Sequence, residues 1–259
     1  MADNKIIGVI QARMNSKRLP GKVLSKICGK PLIYHIYERL EKISEISDIV
    51  IATTNRESDK PLRDFAKSKK IPYYAGKVND ITDRLYKTGK KFNGDIIVKI
   101  NADCPLIDVK LVSDGLKKFC ESKKKPDLVT NCVIETYPEG MQYGIFNFET
   151  ISKIWTNVKN PFWREYIFRY IIENKSKFKV ISMENSKNLS SMRWTVDYPE
   201  DLKFVKKVYE KLYSKNQFFS MNDVLEIIRK YPELEKINQK YSAKIGINSF
   251  EELKEKFNQ

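Results

Sequence analysis

The sequence has a single histidine and no paired cysteines, and this scarcity argues against a zinc site. His35 lies within an apolar helical stretch, and no C-x-x-C motif is formed by the four cysteines Cys28, Cys104, Cys120 and Cys132. Structural zinc sites are usually built from such pairs together with histidines. We therefore interpret His35 as a structural residue and the isolated thiols as typical of a reducing compartment.

Long hydrophobic runs are also missing. No segment approaches the roughly 20 consecutive apolar residues that cross a bilayer as a helix. The first residues, MADNK, lack the apolar stretch of a signal peptide. We therefore expect a cytoplasmic protein with no membrane partner.

Acidic residues are outnumbered by basic ones, but the basic residues are not arranged as in most nucleic-acid readers. The chain has 48 Lys and Arg against 33 Asp and Glu, a formal net charge of +15. Nucleic-acid readers usually cluster Arg and aromatic residues on one face, whereas here the lysines are spread along the chain. We interpret them as a solvated surface that attracts small anionic substrates, and we expect no nucleic-acid partner.

Short apolar runs alternate with amphipathic stretches in the first half of the chain. Runs rich in Ile and Val predict strands buried on both faces, and apolar residues at helical spacing predict the helices between them. This alternation favours an α/β fold with a mostly parallel sheet in three layers. The predicted strands are 5–10, 48–53, 71–76 and 95–100, and the predicted helices are 31–40, 57–70, 80–92 and 109–122.

The second half of the chain is less regular. Its predicted strands are 127–131, 143–148, 178–183 and 192–196. The pattern is helical from Pro199 onward, where Ser220 and Asp223 resemble a capping box and FEELKEKF at 250–257 resembles a last helix. The segment 161–174 predicts a helix whose aromatic side chains are core or dimer contacts: Phe162, Trp163, Tyr166, Phe168 and Tyr170.

The stretch QARMNSKRLPGK, residues 11–22, directly follows the first predicted strand. Ligands of α/β sheets bind at the carboxyl ends of strands, and Pro20-Gly21 allows a tight turn there. Basic side chains in such a loop can neutralise phosphate oxygens, so the loop predicts an anion site. It is not a P-loop, because position 16 is Ser rather than Gly. The cationic residues are Arg13, Lys17, Arg18 and Lys22.

Two aspartates follow apolar runs that are far apart in the chain. Asp103 follows the strand 95–100, and Asp197 follows 192–196 and precedes a helix that starts at a proline. Each residue alone is explained as well by a turn or a helix cap. Opposite a cationic loop, the two together predict a magnesium–nucleotide site, because Mg²⁺ is typically held by one or two carboxylates plus substrate phosphates.

A third stretch, GKVNDITDRL at 76–85, leads into a predicted helix. Its residues Thr82, Asp83 and Arg84 are candidates for contact with a base or a ribose. Spacing alone favours a plainer interpretation, in which Asn79 or Asp80 caps the helix.

These motifs occur in the order found in a known enzyme family. The segments IIGVIQARMNSKRLPGKVL, NDITDRLY, DCPLIDVKLV, TYPEGM, PFWREYIFRYI and RWTVDYPEDL resemble cytidylyltransferases that activate sugar acids, such as the 3-deoxy-manno-octulosonate and acylneuraminate enzymes. The resemblance is closest to the spore coat polysaccharide biosynthesis protein F branch, and it spans about residues 5–240. It implies a Rossmann-like nucleotide-diphosphosugar transferase fold, CTP as the donor and Mg²⁺ as the cofactor.

The resemblance also implies the roles of individual residues. Arg13, Arg18 and Lys22 would hold the triphosphate and act in catalysis, and Asp103 and Asp197 would bind the metal. The nucleotide would be contacted by Gln11, Ala12, Arg13, Ser16, Lys22, Thr82, Asp83, Arg84 and Asp103. The acceptor side would include Gln142, Arg164, Glu165 and Arg193.

Three positions on the acceptor side depart from the pattern of that branch. Gln142 and Gly144 stand where Asp and Glu are usual, and Tyr166 stands where many members carry His. The loss of two carboxylates favours a more anionic acceptor, because fewer negative charges oppose it.

We therefore predict transfer of CMP from CTP to an anionic acceptor, with release of pyrophosphate, in surface polysaccharide or glycan synthesis. Two alternatives stay open: a glycosyltransferase of the same fold, although no D-x-D motif is present, and a non-catalytic nucleotide- or nucleic-acid-binding protein. The resemblance also favours a homodimer. The predicted nucleotidyltransferase domain is 1–240, with a nucleotide-binding part at about 1–125, an acceptor or dimerisation part at about 126–190, and a helical tail at 241–259.

Overall fold

A seven-stranded sheet forms the centre of the computed structural model, which describes residues 4–241. The strands in chain order are β1 (Ile6–Gln11), β2 (Lys26–Ile27), β3 (Lys30–Pro31), β4 (Asp48–Thr54), β5 (Tyr73–Gly76), β6 (Ile96–Asn101), β7 (Leu128–Thr130), β8 (Tyr143–Asn147) and β9 (Val180–Ser182). Strands β2 and β3 form a separate hairpin, and the other strands are ordered β5-β4-β1-β6-β8-β7-β9.

Most neighbouring strands of the sheet are parallel. Strand β1 pairs in parallel with β4 and with β6, and β4 pairs in parallel with β5. Strand β8 is antiparallel to both β6 and β7, and β9 is parallel to β7. The predicted mixed α/β fold with a mostly parallel sheet is therefore confirmed.

Helices cover both faces of the sheet. They are α1 (Leu32–Leu40), α2 (Lys60–Ser68), α3 (Ile81–Lys91), α4 (Val109–Cys120), α5 (Phe148–Asn157), α6 (Pro161–Glu165), α7 (Ile167–Glu173), α8 (Pro199–Leu212), α9 (Met221–Lys230) and α10 (Glu233–Lys236). Alternate residues of β1 point to opposite faces: Ile6 and Ile10 pack with α1, α4 and α8, whereas Ile7 and Val9 pack with α3, α5 and α7. This packing produces the three layers that the sequence predicts.

The structure corrects two of the predicted elements and adds a helix that the sequence did not predict. Segment 192–196 is not a strand: it makes one isolated bridge, between Glu139 and Arg193, and then turns to bond the loop after β6. Segment 161–174 breaks at Tyr166 into α6 and α7, and α5 was not predicted. The predicted helix at 250–257 lies outside the described residues, and the predicted domain boundaries stay predictions.

The order of the strands places two loops side by side. The chain runs outward from β1 through β4 to β5, then returns to the other side of β1 at β6. Ligands of such sheets bind in the crevice outside the carboxyl ends of the strands where the order reverses. The loops after β1 and after β6 both leave the sheet at that crevice, and they carry the basic stretch and Asp103.

The structural interpretation of His35 is confirmed. Its ring is 2% exposed, Nε2 donates to the Ile27 carbonyl at 2.8 Å, and the ring packs on Tyr209 and Tyr213. All four cysteines are free thiols. Among residues 4–241, every helix is too short or too polar to traverse a bilayer.

Candidate active site

A cleft of about 1060 Å³ opens at the carboxyl ends of β1 and β6. Basic side chains outnumber acidic ones on its walls, which suits a polyanionic ligand. The sequence-predicted site residues that line it are Gln11, Ala12, Arg13, Ser16, Arg18, Lys22, Arg84, Asp103, Glu165 and Asp197.

The loop after β1 is held in a fixed shape by its own backbone and by a buried aspartate. The Met14 N–H donates to Asp59 Oδ1 at 2.6 Å, and the Met14 carbonyl accepts from the Gly21 N–H at 2.9 Å. Gly21 has a φ of 74°, in the left-handed region that favours glycine. This turn directs the following residue, Lys22, inward rather than into solvent.

Lys22 binds both Asp103 and Asp197, the two aspartates predicted to form one site. Its Nζ lies 3.0 Å from Asp103 Oδ2, 2.8 Å from Asp197 Oδ1 and 2.6 Å from the Val196 carbonyl. The residue is only 7% exposed. The loop after β1, the loop after β6 and the segment before α8 thus converge on one ammonium group.

Backbone hydrogen bonds explain why Asp103 and Asp197 converge. The Val196 N–H donates to the Asp103 carbonyl at 2.9 Å, and this contact fixes the two loops against each other. Asp197 is not the helix cap that its position allows, because the Asp201 carboxylate accepts from the N–H groups of Asp197 and Tyr198 instead. The Asp197 carboxylate is therefore left to face the cleft.

The charges of this cluster reinforce one another. Burial acts to raise the pKa of Asp197, but the Lys22 ammonium and the Arg18 guanidinium, at 2.7 Å, hold this pKa below its usual value. Burial likewise acts to lower the pKa of Lys22, but Asp103 and Asp197 hold it above its usual value. The lysine and Asp197 are consequently both charged at neutral pH.

The same two carboxylates fit the requirements of a magnesium ion. Asp103 Oδ2 and Asp197 Oδ1 both lie within 3.0 Å of a single point, the Lys22 Nζ atom. Among residues 4–241, no group of three or more His, Cys, Asp or Glu side chains could hold a metal. Two oxygen donors plus the phosphates of a substrate are the usual ligand set of Mg²⁺, so the donors present suit that ion.

Sequence reasoning missed several residues of the cleft. Lys99, Asn101 and Arg169 line it, as do Tyr166 and Phe168, which were predicted to be core or dimer contacts. Lys99 left a signal, because a lysine is unusual within an apolar strand buried on both faces. The break at Tyr166 between α6 and α7 gave no such signal.

Two of the predicted nucleotide contacts lie away from the cleft. The Thr82 hydroxyl donates to the Arg164 carbonyl at 2.8 Å, and Asp83 accepts from Trp155 Nε1 at 2.8 Å. Both side chains face α5 and α6, on the side of α3 turned from the cleft. Their neighbour Arg84 does line the cleft, and Asp80 caps α3 as the plainer interpretation expected.

Three of the predicted acceptor contacts also lie outside the cleft lining. Arg164 is occupied by Asp80 at 2.8 Å and by two backbone carbonyls. Gln142 Oε1 accepts from the Gly140 N–H at 2.7 Å. The Arg193 guanidinium, with 8% of its side chain exposed, binds the carboxylates of Glu139, Asp197 and Asp201. These bonds explain why the three side chains are held away from the cleft.

Glu165 is the predicted acceptor residue that does reach the cleft. Its Oε2 atom is buried and has no hydrogen-bond partner among residues 4–241. Burial raises the pKa of Glu165, although Arg84 and Arg13 act against that shift. A buried carboxyl oxygen without a hydrogen-bond partner is suited to accept a hydrogen bond from a bound ligand.

The fold and the site together define a nucleotidyltransferase: a Rossmann-like sheet, a basic loop at its switch point and a convergent pair of aspartates. The cytidylyltransferase family model matches residues 7–253. The chain therefore belongs to the cytidylyltransferase family, and it is a CTP-dependent nucleotidyltransferase.

Individual relatives agree with this assignment. The structure of a cytidylyltransferase from Leptospira borgpetersenii serovar Hardjo-bovis is 32% identical, with a TM-score of 0.84 over 90% of this chain and 97% of that chain. The spore coat polysaccharide biosynthesis protein SpsF of Bacillus subtilis is 22% identical over 89% of this chain and 96% of its own. The 3-deoxy-manno-octulosonate cytidylyltransferase of Geobacter metallireducens is 33% identical over 43% of each chain. The family resemblance inferred from the motifs is confirmed.

Proposed function

We propose that this protein transfers CMP from CTP to a hydroxyl group of an anionic acceptor, a sugar acid or a sugar phosphate, and releases pyrophosphate. The observation that carries the proposal is the convergence of Lys22, Asp103 and Asp197 in a basic cleft at the switch point of the sheet. Family membership favours this reaction over glycosyl transfer and over non-catalytic binding.

The basic side chains of the cleft account for the chemistry. The acceptor oxygen attacks the α-phosphorus, a new P–O bond forms, and the bond to pyrophosphate breaks while the hydroxyl proton passes to water. Arg13, Arg18 and Lys22 neutralise the negative charge that develops on the phosphate oxygens and on the leaving group. Because Arg18 and Lys22 are already held by Asp197 and, for Lys22, also by Asp103, little reorganisation of these two donors is needed at the moment of reaction.

Asp103 and Asp197 would hold Mg²⁺ in this scheme. The ion would supply charge neutralisation on the phosphates and would help to orient the triphosphate. Lys22 binds both carboxylates and holds them close together, so the pair is already arranged to accept a cation.

The proposed biological role is the activation of a sugar acid or related anion for a surface polysaccharide. Two relatives support it by name, the spore coat polysaccharide biosynthesis protein and the 3-deoxy-manno-octulosonate enzyme. A cytoplasmic location fits this role, because CTP is consumed there.

The test is pyrophosphate release from each of the four nucleoside triphosphates, with Mg²⁺ and a panel of sugar acids and sugar phosphates. We expect release with CTP and with at least one anionic acceptor, and no release with the corresponding neutral sugar. A protein that transfers a sugar from a nucleotide sugar, or that releases no pyrophosphate with any acceptor on the panel, would contradict the proposal.

A further inference from the structure

Lys99 is a buried cation on the floor of the cleft that the reaction scheme above does not use. It lies in β6, is 6% exposed and lines the cleft. Its Nζ atom donates to Asn101 Oδ1 at 2.6 Å and lies 4.7 Å from the centroid of the Phe168 ring. Among residues 4–241 it forms no ion pair, whereas Lys22, which lines the same cleft, binds two carboxylates.

An ammonium group in this position is costly to the folded protein. Removing a charge from water is unfavourable unless an opposite charge or several hydrogen bonds replace the lost hydration. One amide oxygen and one aromatic face replace it only in part. Consistent with this, burial lowers the pKa of Lys99 to about 8.

The strand opposite Lys99 cannot supply the missing carboxylate. Gly144 of β8 is its partner in the antiparallel register. A Cβ atom at Gly144 would overlap a ring carbon of Phe168. The Phe168 ring therefore occupies the space that a side chain at position 144 would need, and the lysine is left facing the cleft.

A second donor stands beside the ammonium. The amide of Asn101 accepts from Lys99 through its oxygen, and its nitrogen forms no hydrogen bond within the described part of the chain. Asn101 also lines the cleft. An ammonium and an amide N–H side by side match the two oxygens of a carboxylate, or two oxygens of a phosphate monoester.

We propose that Lys99 and Asn101 form the subsite that binds the anionic group of the acceptor, with Lys99 as the residue that determines specificity for a charged acceptor. This inference rests on the proposed function. It assigns the phosphates of CTP to the loop after β1 and the acceptor's charge to β6, so that one cleft binds two anions on separate cations.

The experiment measures probe binding by isothermal titration calorimetry to wild-type protein and to Lys99→Met and Lys99→Arg variants. The protein is first saturated with cytidine 5′-(α,β-methylene)triphosphate, which fills the nucleotide part without turnover. The probes are 3-deoxy-manno-octulosonate, which offers a carboxylate, and glucose 1-phosphate, which offers a phosphate. Preference for one probe identifies which anion the subsite takes.

We expect Lys99→Met to weaken the binding of at least one probe by tenfold or more, while Lys99→Arg stays within about threefold of the wild type. The Lys99→Met protein should also unfold at the same or a higher temperature than the wild type without ligand, because a buried unpaired charge has been removed. If Lys99→Met does not fold, Lys99→Gln replaces it.

Equal affinities in the wild type and in Lys99→Met, or no binding of either probe to the wild type, would overturn the inference. Failure of the proposed function appears differently, as absence of pyrophosphate release and of binding of the nucleotide analogue. In that case the same titrations on nucleotide-free protein still test Lys99. Titrations of Lys22→Ala show whether a probe has bound the loop after β1 instead, because its affinity would then fall in that variant.

Discussion

At the scale of single residues, Lys22 is the group on which the proposed reaction depends most. Replacing it with alanine removes one charged donor to the transition state, which is typically worth about 3 kcal/mol. We therefore expect Lys22→Ala to lower kcat by about 100-fold or more in the pyrophosphate-release assay. Lys26→Ala is the matched control, because Lys26 is an exposed lysine four residues away that does not line the cleft. A fall of less than about threefold in Lys22→Ala would remove Lys22 from the mechanism.

The depressed pKa of Lys99 predicts how stability depends on pH. Its folded-state pKa of about 8 lies below the usual 10.5, and burial is the main cause; Cys132, Cys104 and Asp103 act against the shift, and Arg84 adds to it. Between these two values the unfolded chain binds more protons than the folded one, so stability rises with pH.

The measurement is the free energy of unfolding of the wild type relative to Lys99→Met at several pH values. We expect the free energy of unfolding of the wild type minus that of Lys99→Met to be constant below about pH 8. This difference should increase between about pH 8 and pH 10.5 and be constant again above that range. A difference that does not change over this window would show that Lys99 titrates normally.

At the scale of elements, the Arg164 side chain links α6 by hydrogen bonds to the start of α3 and to the end of α5. Its guanidinium binds Asp80 at 2.8 Å and the carbonyls of Trp155 and Val158 at 2.9 and 3.0 Å. Lysine cannot reproduce this planar set of bonds. We expect Arg164→Lys to lower the free energy of unfolding by about 2 kcal/mol and to leave the KM for the acceptor unchanged at a temperature where the variant is folded.

The control for this variant is Arg229→Lys, an exposed arginine of α9, which should not change stability. The sequence-based prediction gave Arg164 an acceptor-binding role. A raised KM with unchanged stability in Arg164→Lys would support that role and contradict the structural one.

The elements of the site differ in how far the sequence could predict them. The loop at 11–22 and Asp103 were predictable because parallel strands present their carboxyl ends at one edge of a sheet. The face of α3 that carries Thr82 and Asp83 was not predictable, since helical spacing shows that a helix has a buried face but not which layer covers it. Lys99 was overlooked because the apolar residues around it dominated the strand pattern.

Long-range contacts account for the remaining differences between the sequence-based prediction and the structure. Segment 192–196 has the composition of a strand, but its backbone is used to bind the loop after β6 through Val196. No local sequence pattern shows whether this backbone pairs in the sheet or binds that loop. The position of Arg193 depends on the same segment, and its bonds to Glu139, Asp197 and Asp201 hold it away from the cleft, which could not be read from sequence.

At the scale of the whole molecule, nucleotide binding should stabilise the folded chain selectively. A ligand that binds only the folded state adds RT ln(1 + [L]/Kd) to the free energy of unfolding. We expect CTP with Mg²⁺ to raise Tm more than ATP, GTP or UTP at the same concentration, with thermal shift as the measurement. Equal shifts for all four would mean that the site binds triphosphates without selecting the base.

The oligomeric state is also a property of the whole molecule, and the homodimer stays a prediction. The family resemblance favours it, and the aromatic residues of α6 and α7, which were predicted to be core or dimer contacts, make contacts within the chain, such as Phe146 with Phe168 and Trp163 with Tyr170. Light scattering should give twice the chain mass of 30.4 kDa if the prediction is right. The mass of one chain would contradict it.

The central claim is that one cleft binds CTP with its triphosphate on the loop after β1 and its metal between Asp103 and Asp197. The most direct test is a crystal structure of the protein with Mg²⁺ and the non-hydrolysable CTP analogue. We expect phosphate oxygens in contact with Arg13, Arg18 and Lys22, and a cation bound by both aspartates. A nucleotide bound elsewhere on the molecule, or a cation that touches neither aspartate, would contradict the account.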